Sequence, residues 1–150
     1  MDKIRVAIAD NKAEFRMKIR ALISAETDMK FVGDAGSAMN AVNLVRVVPT
    51  DVILMSVGMP GTDIFEATKY IKMERPLTKV VILAEGEDES RLIDRGMETI
   101  YMFRDSEIRG YISKQSPAEE MLEVIRQVSA VCSCFCLPVT RLGVQRLSRV

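Results

Sequence analysis

Residues 51–61 read Asp51-Val52-Ile53-Leu54-Met55-Ser56-Val57-Gly58-Met59-Pro60-Gly61, an apolar run that stops abruptly at glycine and proline. A run of this length, apolar at nearly every position, is typical of a strand buried on both faces of a parallel sheet. The glycines and the proline then indicate a loop. Ser56 is the last polar residue of the strand, which places its hydroxyl at the carboxyl end, where open α/β sheets bind their ligands.

Four further segments have the same strand character, and helical patterns lie between them. The predicted strands are Ile4–Ala9, Lys30–Asp34, Lys79–Ala84 and Gly110–Ser113, and the predicted helices follow Asn11, Ser37, Asp63, Glu85 and Ser116. Parallel strands need crossover helices, so five strands alternating with five helices predict an α/β fold. Asn11 and Asp63 each stand three residues before a glutamate, the spacing of a capping box, and we expect both to cap helices.

The composition predicts one domain with a short appendage. The chain has 150 residues, 48% of them apolar and 28% charged, which is an ordinary globular balance. We assign residues 1–130 to the domain and residues 131–150 to a tail. No apolar run approaches the roughly 20 residues that span a bilayer, and the first residues lack the shape of a signal peptide, so we expect a cytoplasmic protein with no membrane partner. The chain has no histidine, which excludes histidine catalysis and histidine metal ligands.

The run at residues 51–61 closely resembles the central strand and loop of response-regulator receiver domains, in which apolar residues precede Met-Asp-x-x-Met-Pro-Gly. The resemblance covers roughly residues 3–130. It implies a flavodoxin-like, doubly wound parallel sheet with strand order 2-1-3-4-5 and helices on both faces. In that family the aspartate accepts a phosphoryl group. Here Ser56 stands at that position.

The resemblance also identifies the other positions of the phosphorylation pocket. Receivers have two acids after the first strand, a threonine or serine ending the fourth, a lysine ending the fifth, and an aromatic switch residue in the fifth. Three positions match the family and three depart from it. The matches are Asp10, Lys114 and the aromatic Tyr111, and the departures are Asn11, Ser56 and Ala84.

These departures predict a degenerate pocket. In receivers three carboxylates hold Mg²⁺, a hard cation that needs oxygen ligands. One carboxylate beside the ammonium group of Lys114 leaves the pocket close to neutral, and a serine without a base is a poor phosphoryl acceptor. We therefore expect no metal, no cofactor and no enzymatic activity. Asp10 and Lys114 are expected to form an ion pair, with Ser56 hydrogen-bonded between them; the alternative is a pocket that binds a different small ligand.

The segment between Ala84 and Lys114 is longer than in a typical receiver, by about eight residues. It starts with acidic residues and ends with four large apolar ones, Ile100, Tyr101, Met102 and Phe103. Four such residues in a row exceed what one helix face can bury. Two interpretations stay open: core packing of an extended helix, or an exposed patch through which two copies associate. We favour an altered homodimer.

The tail has three cysteines and a second resemblance. Cys132, Cys134 and Cys136 are too closely spaced for a CxxC zinc site and lack a fourth ligand, so ordinary thiols are favoured over a redox or metal sensor. The segment 135–141 resembles the linker after LuxR-type receivers, which leads to a helix-turn-helix domain. The resemblance implies contact with DNA through a domain that is absent from this chain.

Together these features predict a pseudo-receiver that works without aspartyl phosphorylation, as a signalling and protein–protein interaction module in transcriptional regulation. Its expected partners are a second copy of itself and a regulator or sensor protein. The alternative is a receiver that senses a small molecule at the strand ends. An enzyme of flavodoxin-like fold is disfavoured, because no glycine-rich phosphate loop follows the first strand and no pair of nucleophile and base can be named.

Overall fold

The computed structural model describes residues 2–61 and 63–130, apart from the side chain of Ile100. They form five strands and six helices. The strands are β1 (Ile4–Ala9), β2 (Met29–Ala35), β3 (Val52–Ser56), β4 (Lys79–Ala84) and β5 (Ile108–Ser113). The helices are α1 (Ala13–Ser24), α2 (Ala38–Val47), α3 (Ile64–Glu74), α4 (Gly86–Arg95), α5 (Met97–Asp105) and α6 (Ala118–Ala130). The predicted tail, with its three cysteines, lies outside the described residues.

The five strands form one parallel sheet in the order β2-β1-β3-β4-β5, as predicted. β3 lies at its centre, with Ile53 paired to Ala7 on one side and to Val80 on the other. Every residue of β3 is buried, which explains why its sequence is apolar without alternation. The carboxyl ends of β1, β3, β4 and β5 therefore meet at one edge of the sheet.

The prediction of one extended helix between β4 and β5 is wrong, because the segment forms two helices. Gly96 separates them with a φ of 50°, a left-handed conformation that suits glycine, and its amide donates to the Ile93 carbonyl at 3.0 Å. The Thr99 hydroxyl donates to the Leu92 carbonyl at 2.7 Å and ties α5 back onto α4. The additional residues of this segment thus form a turn at Gly96 and a second helix, instead of lengthening one helix.

The division of the segment also decides where its apolar residues lie. Phe103 is fully buried, and its ring lies 6.2 Å from that of Phe65. Phe103 is therefore a core residue, and its assignment to an exposed face is corrected. Tyr101 is 48% exposed and Met102 is half-buried. Consecutive residues of a helix point in directions about 100° apart, so residues that are neighbours in the sequence can face the core and the solvent respectively.

One of the two predicted capping boxes forms its cap. The Asp63 carboxylate accepts from the Phe65 amide at 3.4 Å at the start of α3, as expected. Asn11 does not cap α1, which begins at Ala13 after Lys12. The Lys12 amide instead donates to the Asp10 carboxylate at 2.7 Å. α1 therefore has no side-chain cap, and the Asp10 carboxylate holds the turn that precedes the helix.

Among the described residues, no helix has both the length and the hydropathy that a bilayer crossing requires.

Candidate functional site at the carboxyl edge of the sheet

Three predicted pocket residues meet where their strands end. Asp10 follows β1, Ser56 ends β3 and Lys114 follows β5. The Lys114 ammonium group and the Ser56 hydroxyl both donate to the Asp10 oxygen Oδ2, each at 2.5 Å. The expected ion pair is present, and the serine is hydrogen-bonded to its carboxylate. We call Asp10, Ser56 and Lys114 the pocket triad.

The triad is shielded from solvent. Asp10 and Ser56 are buried, and the Lys114 side chain is 8% exposed. Burial raises the pKa of Asp10, but the hydrogen bonds from Lys114, from Ser56 and from the Lys12 amide outweigh it, so the pKa of Asp10 lies below its usual value. Asp10 is therefore a carboxylate at neutral pH, and each of its two oxygens accepts at least one hydrogen bond.

Two residues near the triad were not predicted as part of the site. The carboxylate of Glu85 lies 3.9 Å from the Lys114 ammonium group and 3.5 Å from that of Lys12. The Phe15 ring lies against Lys114, with its centroid 4.7 Å from the nitrogen, a cation–π contact. Glu85 could have been found from the sequence, because it directly follows β4 and so must lie at the same edge. Phe15 is half-buried in the first turn of α1.

The other predicted pocket residues surround the triad without joining it. Asn11 is exposed, in the turn between β1 and α1. Ala84 is buried at the end of β4, where its carbonyl accepts from the Lys114 amide at 2.9 Å and its methyl group offers no hydrogen bond. Tyr111 is half-buried in β5 and packs against the core. The structure thus brings together three of the six predicted positions.

The donor set does not fit the Mg²⁺ ion that the family implies. Magnesium requires near-octahedral oxygen coordination and is usually bound through one or two protein carboxylates with free oxygen lone pairs. Both Asp10 oxygens accept hydrogen bonds, and the Lys114 ammonium group already pairs with Oδ2. Within residues 2–61 and 63–130, no three cysteine or carboxylate side chains are grouped to hold a metal. Glu85 adds a second carboxylate, but Lys12 and Lys114 balance both acids.

A cavity of about 230 Å³ adjoins the triad. It lies under the loop between β3 and α3 and is lined by Ala38, Ser56, Val57, Gly58, Met59, Gly61, Asp63, Ile64 and Phe65. Ligand pockets usually have volumes of about 300–1,000 Å³. Among the lining residues that the structure describes, Ser56 alone has a hydroxyl group, and that hydroxyl already donates to Asp10. This cavity by itself does not favour the alternative of a small-molecule sensor. A second, open cavity of about 610 Å³ lies beside Lys12, Phe15 and Glu85 at the same edge, and its volume is within the usual range.

Comparison with known proteins agrees with this architecture. Residues 6–126 match the model of the response regulator receiver domain. The chain is 37% identical to the uncharacterized transcriptional regulatory protein YxjL of Bacillus subtilis over 125 residues, which is 83% of this chain and 54% of YxjL. It is 31% identical to the transcriptional regulatory protein LiaR of the same organism, covering 84% of this chain and 56% of LiaR. The chain thus spans about half the length of these relatives.

Solved structures give the same result. The response regulator domain of Thermotoga maritima CheB is 32% identical, with a TM-score of 0.72, covering 86% of this chain and 98% of that domain. A LuxR-family two-component response regulator from Aurantimonas sp. SI85-9A1 has a TM-score of 0.79 at 20% identity, covering 98% of this chain and 99% of that one, and supports the fold alone. With the family model matched over most of its length, this chain belongs to the response regulator receiver family.

Proposed function

We propose that this receiver domain works without aspartyl phosphorylation, as a signalling and protein–protein interaction module in transcriptional regulation. The observation that carries the proposal is the pocket triad. At the phosphoacceptor position the Ser56 hydroxyl donates to Asp10, and Lys114 pairs with the same carboxylate oxygen. The lysine that would neutralise an incoming phosphoryl group is thus already paired within the protein.

The chemistry of the triad also opposes transfer to serine. A hydroxyl nucleophile needs a base that removes its proton. Asp10 accepts the Ser56 hydroxyl, but its lowered pKa makes it a weak base. The Ala84 methyl group cannot donate to a phosphoryl oxygen. At this edge the residue at the acceptor position is a serine, the base beside it is weak, and the hydroxyl that would donate to the phosphoryl group is missing.

The transcriptional part of the proposal comes from the relatives. YxjL and LiaR are transcriptional regulatory proteins, and the chain corresponds to about half of each. We infer that a receiver of this kind acts on transcription through a separate DNA-binding domain and receives its signal from a partner regulator or sensor protein. The described domain has no role in DNA contact in this proposal.

Phosphorylation can be tested directly. The protein is incubated with acetyl phosphate and Mg²⁺, and its intact mass is measured, with a receiver that has the acceptor aspartate as positive control. We expect no added phosphoryl group. A stoichiometric adduct on this chain would overturn the proposal.

Substitutions extend the test. Ser56→Asp alone is expected to remain unlabelled, because Asn11 and Ala84 still lack the acid and the hydroxyl that the reaction requires. The triple variant Asn11→Asp, Ser56→Asp, Ala84→Thr restores all three groups and is expected to gain measurable labelling. Robust labelling of the single variant would show that Asn11 and Ala84 matter less than we infer.

We also propose that the domain forms a homodimer through the exposed side of α5. Tyr101 is 48% exposed, Met97 lies nearby on the same helix and is also exposed, and the Arg104 guanidinium group lies 5.0 Å from the Tyr101 ring centre. Aromatic residues and arginine are enriched in protein interfaces. The proposed dimer face therefore consists of Met97, Tyr101 and Arg104. It differs from the four consecutive apolar residues 100–103 of the sequence prediction, because Phe103 lies in the core.

Light scattering tests the dimer. Tyr101→Ala is expected to shift the protein towards monomer. Tyr70→Ala is the matched control, because Tyr70 is 43% exposed on the side of α3 that lies next to Met39 and Arg46 of α2, and its loss should leave the dimer intact. A wild-type protein that stays monomeric at high concentration would contradict the proposal, and so would equal effects of the two substitutions.

A further inference from the structure

The first turn of α4 and the residue before it carry four acidic side chains, Glu85, Glu87, Asp88 and Glu89. We call residues 85–89 the acidic turn. Acidic residues are common at helix N-termini, where they interact favourably with the helix dipole. That explanation applies to all four and depends only on their place in the helix. The contacts of three of them call for a second explanation.

Three of the acids reach across to other elements. The Glu89 carboxylate accepts from the Ser113 hydroxyl at 2.8 Å, in a partly buried hydrogen bond. The Glu85 carboxylate lies within 4 Å of the ammonium groups of both Lys12 and Lys114. Asp88 packs against Gly58 so closely that a methyl group on that glycine would lie 2.7 Å from Asp88 Oδ2.

These contacts reach three different connections of the sheet. Lys12 precedes α1, and Gly58 lies between β3 and α3. Ser113 ends β5, and Lys114 follows it. These are the connections next to the strand ends that supply the pocket triad. Glu87 differs, because its side chain is 90% exposed and pairs with Arg91 on the same helix. The acidic turn is therefore one short segment that contacts the surroundings of the triad on several sides.

We propose that the acidic turn is an internal device that holds these three connections closed around the pocket triad. In this arrangement the carboxylates of α4 supply, from within the chain, negative charge and hydrogen-bond acceptors at an edge that has no acceptor aspartate. The inference deepens the proposed function and rests on it: α4 is held by permanent contacts, and a partner that releases the acidic turn would change the domain without phosphate.

Each contact is weak by itself. Glu85 is about half-exposed, and exposed ion pairs contribute little individually. Their effect comes from acting together on one helical turn, so removal of two should loosen both the turn and its partners. Local loosening of this kind is measured by amide hydrogen exchange.

The experiment compares hydrogen exchange, followed by mass spectrometry, in the wild type, the double variant Glu85→Gln, Glu89→Gln and the control Glu87→Gln. Glu87→Gln removes one negative charge from the same helical turn, against two in the double variant, and leaves the contacts to other elements. In the double variant we expect exchange faster by on the order of tenfold in residues 85–92 and in residues 111–118. In Glu87→Gln we expect both segments to exchange as in the wild type.

A reciprocal variant guards against a purely local effect. Ser113→Ala removes the partner of Glu89 from β5 and should accelerate exchange in residues 85–92, although no residue of α4 is changed. The inference is overturned if the double variant exchanges like the wild type, if Glu87→Gln accelerates both segments equally, or if Ser113→Ala leaves α4 unchanged. These outcomes are separate from the acetyl phosphate result, because exchange is measured without any phosphoryl donor.

Discussion

The two edges of the sheet each carry an ion pair between an aspartate and a basic residue, in very different surroundings. At the amino edge, Arg5 binds both oxygens of Asp51, with Nε at 3.0 Å and Nη2 at 2.8 Å. Those side chains are 45% and 35% exposed. At the carboxyl edge, Asp10 and Lys114 are almost entirely buried. The two ion pairs have the same charges, but they differ in their exposure to water.

This difference determines what each pair does. An exposed pair contributes little, because water solvates either partner when the other is removed. In a buried pair, removal of one partner leaves a charge that has neither water nor counter-ion, which costs more than the pair itself contributes. Asp10 and Lys114 thus depend on one another for the stability of the domain. This gives a structural reason for both to be present although the acceptor position holds serine.

The largest expected effect is at the carboxyl edge. Asp10→Asn should lower the free energy of unfolding by about 3 kcal/mol, because the buried Lys114 ammonium group then keeps only the half-exposed Glu85, at 3.9 Å, as a counter-ion. Urea denaturation measures the loss. The double variant Asp10→Asn, Lys114→Met is the control and should recover part of it, because both charges are then removed. A loss of stability as small as that expected for an exposed ion pair would contradict the inference that breaking the buried Asp10–Lys114 pair costs more than breaking the exposed Arg5–Asp51 pair.

The second effect concerns the hydroxyl in the same pocket. Ser56→Ala removes a hydrogen bond to a buried carboxylate and should cost about 1.5 kcal/mol. Ser90→Ala, at an exposed serine of α4, is the matched control and should change the stability by a few tenths of a kcal/mol at most. If the two variants are equally stable, the Ser56 hydrogen bond contributes nothing to holding the triad.

The amino edge should respond less. Asp51→Asn is expected to cost about 1 kcal/mol or less, because the pair is partly exposed. The cost should shrink in 1 M salt, where the screening length falls to about 3 Å, while the cost of Asp10→Asn should stay nearly constant. Urea denaturation at low and high salt measures both. Equal salt dependence of the two variants would remove the distinction between the edges.

The smallest expected effect is a change in acid stability. The pKa of Asp10 in the folded protein is lowered below its unfolded value, so its contribution is present above about pH 4 and is lost as the pH falls through the folded pKa. The Ser56 hydrogen bond is one cause of that lowering. In Ser56→Ala the folded pKa rises, so the acid-linked loss should be smaller and should end at a higher pH. Urea denaturation between pH 2 and pH 7 tests this, and an unchanged profile would count against it.

Most of the fold was predictable because its signals are local. The apolar run at residues 52–56 predicts a central strand, and the parallel sheet brings Asp10, Ser56 and Lys114 to one edge, since each follows or ends a strand. The choice between core and surface for Tyr101 and Phe103 was not predictable. Four consecutive apolar residues contain no periodicity that separates the covered side of a helix from the exposed one.

The sequence by itself determined the strands, the strand-end positions of the pocket residues and the absence of a carboxylate at residue 56, because these depend on residue type and position along each strand. The strand order was implied by the resemblance to receiver domains and is confirmed by the structure. The tertiary structure alone decided that Gly96 divides the segment after β4 and that Glu85 and Glu89 reach other elements. It also decided that the Asp10 pair is buried while the Asp51 pair is exposed. The physical reason is that burial and contacts between elements depend on how whole helices pack against the sheet, which no local pattern specifies.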